Sequence, residues 1–361
     1  MADAAGQVRG CHMVGSVPLP DTETALRQCT EGQPGRLKRI PDGETGFRGL
    51  FTYWQGACFQ ASPDLAVKFE QNAPVPCGEF TPAQVEAGVQ KLRAAGPMET
   101  KYDEVAIDSY ATFRKLKEEG VIGKATRFQV SMATPPNVLG PFVEGPFQAK
   151  VEPLYQEALY KSMQRIQEHI PHDQLAIQID LALDTAYWEA FPWFKPWFGD
   201  GDIEKVKDYI IAYLVRMIGQ VHEDVELGIH NCYGDMAHRH YFEPTSLGPI
   251  VERTLRLLEA SPHKINFMHA PVAISALDNL DTYFEPLRKL VPALKQHGTE
   301  LYLGVVHFGN RAATEKMIKA AQKVLGDFPF GIATECGWGR TPPEQIAEIM
   351  KMTTEFCVPS A

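Results

Sequence analysis

A (β/α)8 TIM barrel with a long insertion after the second strand is the fold class this α/β sequence predicts, and three observations predict it. Short apolar, β-rich runs bounded by turn residues recur eight times along the 361 residues. Amphipathic stretches of helical length separate the later runs, and polar residues able to do chemistry collect where the runs end. Strand alternating with helix is the pattern of a parallel sheet with helices outside, and eight such units close a barrel. A doubly wound sheet is the alternative; the first strand-to-helix turn lacks the Gly-x-Gly-x-x-Gly phosphate fingerprint, which weakens it. One catalytic domain over residues 1–361 is expected.

The eight runs fall at 11–17, 37–41, 127–132, 175–180, 225–230, 264–268, 301–306 and 330–334. Helical periodicity predicts helices at 153–169, 203–221, 247–260, 280–297, 312–325 and 343–356. The stretch 51–126 is the poorest in strand signals and contains Pro, Gly and aromatic patches, so it reads as a partly helical insertion that caps the barrel mouth. Residues 190–201, with Trp193, Pro196 and Trp197, read as an irregular aromatic loop after the fourth strand.

With 44% hydrophobic residues the chain can bury a full core, and its formal charge of −10 opposes attraction to nucleic acid or an anionic membrane. A small-molecule substrate is the partner expected. No cationic start precedes an apolar leader core and no window is apolar enough to span a bilayer, so a soluble, cytoplasmic protein is expected. The seven cysteines, Cys11, Cys29, Cys58, Cys77, Cys232, Cys336 and Cys357, are scattered and odd in number, unlike a secreted disulfide framework.

In this fold the ends of strands surround one cavity, so what stands there matters most. The first run ends at Gly15 and Ser16, the second at Asp42, Gly43 and Glu44, and the fourth at Asp180. The fifth ends at His230 and Cys232, the sixth at His269, the seventh at His307 and the eighth at Cys336. Residues i and i+2 of an extended chain face the same side, so His230 and Cys232 converge, and Cys336 from another strand end completes two thiols and an imidazole. Soft, tetrahedral Zn²⁺ accepts that set and keeps a further position for a fourth ligand or a substrate. Each residue alone has a bland reading: a buried cysteine is commonly a small hydrophobe, and Glu44 or Asp180 could cap a helix or pair with Arg39, Arg48 or Arg340. His238 and His240, just beyond the His-x-Cys turn, read as substrate-contacting or solvent-exposed rather than ligating.

Taken together, Gly15-Ser16, the Asp42–Arg48 segment, Gln178-Ile179-Asp180, His230-Asn231-Cys232 and Cys336-Gly337 resemble the catalytic barrel of cobalamin-independent methionine synthase. The resemblance spans nearly the whole chain and corresponds to the carboxy-terminal of that enzyme's two barrels. It implies a zinc-dependent transfer of methyl, or another alkyl group, to a small thiol such as homocysteine. It also implies metal ligation by His230, Cys232 and Cys336. The family's glutamate ligand falls at His269, which becomes the candidate fourth ligand. Val14, Gly15, Ser16, Glu44 and Asp180 match the positions that hold the amino acid, and His307 matches the late-barrel catalytic histidine. His307 and Asp180 are thus the candidate catalytic residues. No aromatic residue stands at 132–136 where the family stacks its pteridine, which argues against methyltetrahydrofolate as donor. Exchanging glutamate for neutral histidine would leave the metal centre neutral, which suits a more reactive alkyl donor or Lewis-acid chemistry on an oxygen-bearing substrate. The competing functions are a zinc-assisted lyase or decarboxylase acting on a small carboxylate, and a catalytically idle metal-binding homologue.

Overall fold

The computed structural model describes residues 8–70, 73–75, 78–235 and 239–360, so Cys77 and His238 lie outside it. Its strands, in chain order, are β1 (Val8–Cys11), β2 (Arg39–Pro41), β3 (Lys68–Glu70), β4 (Ala73–Val75), β5 (Arg127–Ala133), β6 (Leu175–Leu181), β7 (Glu226–Asn231), β8 (Phe267–Pro271), β9 (Glu300–Gly304) and β10 (Phe330–Ile332). β3 and β4 form an antiparallel hairpin; the other eight make one parallel sheet in the order β1-β10-β9-β8-β7-β6-β5-β2. A parallel bridge between Cys11 and Leu37 brings the sheet's two edges together, with Cys11 N donating to Arg36 O at 3.0 Å. The architecture is a curled, TIM-like sheet wrapped by helices, and the sequence expectation holds at that level.

Why these residues make such a sheet is plainest in β6. All seven of its residues are buried, because helices cover one face and the barrel interior the other. The interior is filled by large side chains set against glycines. A Cβ at Gly228 would lie 2.0 Å from the Phe267 ring, and one at Gly331 would lie 2.4 Å from the Tyr302 ring. At the closed end Arg39 lies 4.2 Å over Phe267 and pairs with Glu226 at 2.5 Å and Glu300 at 2.9 Å. That end is plugged, which leaves the opposite end for chemistry.

Several boundaries differ from expectation for identifiable reasons. β1 ends at Cys11; His12 N still donates to Ile332 O at 2.9 Å, and the chain then bends at Gly15 as it runs to the barrel mouth. The helix expected at 280–297 is two, Leu280–Phe284 and Leu287–His297, with Pro286 between them, where proline lacks an N–H to continue the first. The helix expected to begin at Pro153 begins at Gly145 and carries Pro153 inside it. Residues 42–126 hold short 3₁₀ turns, the hairpin, and helices Pro82–Ala94 and Tyr102–Glu118; Thr81 and Gln84 form a capping box on the first of these helices. Among the described residues no helix is long and apolar enough to cross a membrane.

Candidate metal centre and substrate pocket

Sheet register sets the centre. Asp180 pairs with His230, and His230 with His269, so these three stand in one row across β6, β7 and β8. Cys232 N donates to Leu181 O at 2.8 Å, which extends the ladder past His230 and keeps Cys232 on the same face. Cys336 arrives on the loop after β10. Trp338 N donates to Ser16 O at 2.6 Å and Gly339 N to Ser16 Oγ at 3.2 Å, so the segment after β1 seats that loop. The result brings ligand atoms of His230, Cys232 and Cys336 within 4.8 Å of one another. The two sulfurs are 3.8 Å apart, and Gly234 N points at Cys232 Sγ from 3.2 Å.

His269 does not join this group. It is fully buried behind His230, with Nδ1 2.8 Å from His230 Nδ1 and Nε2 3.0 Å from Thr334 O. Burial lowers both imidazoles: His269 to about 4, and His230 well below the usual range with help from His269 and His12. The adjacent Cys232 sulfur, and then burial, push the Cys336 thiol up, so the bare pocket favours protonated sulfur.

A cavity of about 60 Å³ opens on these residues and is also lined by Val14, Gly15, Ser16, Glu44 and Asp180. Glu44 sits in the left-handed region (φ 46), its N–H donating to Asp42 Oδ1 at 2.8 Å, while Asp42 is committed to Arg48 at 2.6 Å and to Ser109 Oγ at 2.6 Å. Gly15 makes room for it, since a Cβ there would lie 2.8 Å from Glu44 Oε1. Burial, then the charge of Asp42, raises Glu44 to about 8; burial, then Glu44, raises Asp180 well above the carboxylate range. Gln178 Nε2 donates to Asp180 Oδ1 at 2.8 Å and Gln178 Oε1 accepts from His12 at 2.7 Å, which fixes the amide's orientation.

His307 stands apart, in an adjoining chamber of about 260 Å³ that shares the Cys232 and Cys336 wall. Its Nε2 lies 2.9 Å from Val272 O and its Nδ1 3.6 Å from Glu335 Oε2, and burial lowers it. Glu335 also faces His240 at 3.3 Å. Sequence reasoning missed Glu335, Tyr241 and the pairing of Arg340 with Asp235 at 3.1 Å, the last two lining the smaller cavity. The one available signal for Glu335 was its place beside Cys336.

Fold and site together define a TIM-like barrel whose mouth carries two thiols, an imidazole and paired carboxylates. No protein-family model matches the chain, and no curated protein matches it. Among solved structures it resembles a B12-independent methionine synthase from Shewanella sp. W3-18-1 in complex with selenomethionine. That likeness has 13% identity and a TM-score of 0.54 over 96% of this chain and 97% of the other. A putative vitamin-B12 independent methionine synthase from Listeria monocytogenes matches with 14% identity and a TM-score of 0.48 over 97% and 98%. The likeness to the Shewanella protein is one of fold.

Proposed function

We propose that this single-domain protein is a zinc-dependent transferase that moves an alkyl group, methyl in the simplest case, onto the sulfur of a small amino-acid thiol such as homocysteine. The observation that carries the reading is the gathering of His230, Cys232 and Cys336 on a cavity that also presents Glu44 and Asp180. The donor set fits the metal. Two sulfurs each about 2.3 Å from one tetrahedral Zn²⁺ stand about 3.8 Å apart, and Cys232 and Cys336 are spaced at 3.8 Å. Zn²⁺ held there would keep the acceptor sulfur as thiolate, whereas a free thiol with a pKa of about 8.5 is mostly protonated at neutral pH.

The chain's own residues do the rest. Asp180 and Glu44 receive the substrate ammonium, and Arg340, held by Asp235, gives the cavity a cationic side for the carboxylate. The alkyl donor occupies the chamber of about 260 Å³ beyond the two cysteines. A new S–C bond forms as the donor's bond to that carbon breaks; the electron pair leaves with the departing group, and the proton given up by the acceptor thiol reaches that group through His307 beside Glu335. We read segment 51–126 as an insertion whose Phe51 and Trp54 cover the carboxylate side. Methyltetrahydrofolate is not the donor we favour, because residues 132–136 are buried and offer no aromatic face. That the Shewanella protein was solved with selenomethionine supports an amino-acid ligand bearing a soft atom.

The test is product formation from homocysteine and a panel of methyl donors, read by mass spectrometry on zinc-loaded protein. Cys232→Ser and Cys336→Ser should lose turnover at least about a hundredfold, together with metal. Loss of a carboxylate from a substrate without any thiol requirement would replace this reading with a lyase.

A further inference from the structure

We infer that His269 is a positioning residue that sets the tautomer and aim of His230, so that the protein supplies three ligands and leaves the fourth to the substrate. The inference rests on the zinc reading above and deepens it. Hydrogen-bond roles fix the two tautomers. A carbonyl oxygen only accepts, so His269 Nε2, 3.0 Å from Thr334 O, carries a hydrogen. His230 Nδ1 faces His269 Nδ1 at 2.8 Å, so one of the two donates and the other accepts, and only His230 Nε2 is left to hold a cation. A ligating Nε2 keeps its lone pair, which places the hydrogen of His230 on Nδ1 and makes His269 Nδ1 the acceptor.

Both nitrogens of His269 are spent in this arrangement, one on a proton and one on His230. Its surroundings hold it there. Asn231 Nδ2 donates to His269 O at 2.8 Å, and Asn231 Oδ1 accepts from the buried Arg253 at 2.6 Å. Gly304 leaves the groove in which ring and carbonyl meet: a Cβ there would lie 3.1 Å from His269 Nε2 and 2.9 Å from Thr334 O. To ligate a cation, His269 would have to abandon one of its two hydrogen bonds inside a packed wall. Two thiolates and a neutral imidazole neutralise a dication, and the remaining tetrahedral corner is open to a substrate sulfur. The neutral centre expected from the sequence then becomes anionic when substrate thiolate arrives.

X-ray absorption on the zinc-loaded protein tests this by counting imidazoles, and we expect two sulfurs and one imidazole. In His269→Gln the amide oxygen can accept from His230 and the amide nitrogen can donate to Thr334 O. That variant should keep the wild-type spectrum and, in competition with a chelator, an affinity within about threefold, whereas His269→Ala should bind about 10–100-fold more weakly. A second imidazole in the wild-type spectrum, or a nitrogen ligand lost in His269→Gln, overturns the positioning role while leaving the metal centre standing. A wild-type protein that binds no zinc overturns the metal reading, and this inference with it. If His269→Ala does not fold, the wild-type and His269→Gln spectra decide the question.

Discussion

Glu44 and Asp180 share one wall of the pocket, and each is driven toward its protonated form, Glu44 to about 8. A carboxyl raised on folding stabilises the protein below its unfolded pKa and loses that contribution as pH rises through the folded value. The cost therefore grows between about pH 4.5 and 8. Glu44→Gln should raise the melting temperature by a few degrees at pH 8 and leave it unchanged at pH 4. The same variant should lose affinity for methionine, which has no thiol proton to release and so reports the ammonium site alone. Calorimetry across that pH range checks both effects. At this scale the sequence was legible where spacing alone decides geometry, as in His230 and Cys232 at i and i+2 on one strand. It was silent on the orientation of His269, which depends on Thr334 and on the absence of a side chain at Gly304. For Glu335 the sequence offered only adjacency to Cys336, and it is the fold that sets the carboxylate between His240 and His307.

Each loop at the barrel mouth is held by its neighbours, and the one carrying Cys336 leans on Ser16 through Trp338 N and Gly339 N. Ser16→Ala removes the hydroxyl acceptor but keeps the backbone one. The cost should be about 1 kcal/mol in stability and about fivefold in zinc affinity, through a looser Cys336. Chemical denaturation and chelator competition measure the two. Element positions were readable from apolar runs, but their ends were not. Residues 12–17 are as strand-like in composition as β1, yet they leave the ladder to reach the mouth, and composition does not record whether a partner strand continues. Prolines misled in both directions: Pro153 sits inside a helix that it was expected to start, whereas Pro286 separates two that were expected to be one.

Across the whole molecule, the candidate site and a network of ion pairs sit at opposite ends of the barrel. Arg39 and Arg127 pair with Glu226, and Arg39 and Lys38 with Glu300, so four strands or their approaches are tied together below the site. Burial opposes ionisation of Glu300, but Arg39 and Lys38 overcome it and hold the group near 2. A depressed carboxylate contributes stability above its unfolded pKa, and that contribution fades as pH falls from about 4.5 to 2. Acid unfolding should begin in that window and be shallower in Glu300→Gln. Arg39→Ala, which takes one cationic partner from each of two carboxylates and leaves them Arg127 and Lys38, should cost about 1.5–3 kcal/mol at pH 7 while sparing zinc affinity in the protein that remains folded. The alternation of strand and helix made the TIM-like architecture legible; the single bridge between Cys11 and Leu37 that joins its edges has no sequence signal. The proposed centre gathers an imidazole and two sulfurs from two strand ends around one cation, with room for another sulfur. Cobalt substituted for zinc reports this directly through its sulfur-to-metal charge-transfer absorption. We expect intense bands in the resting protein that grow by about half when homocysteine binds, as two thiolates become three, and that disappear together with the metal in Cys336→Ser. Bands that are absent before thiol is added, or that Cys336→Ser leaves unchanged, would contradict that arrangement.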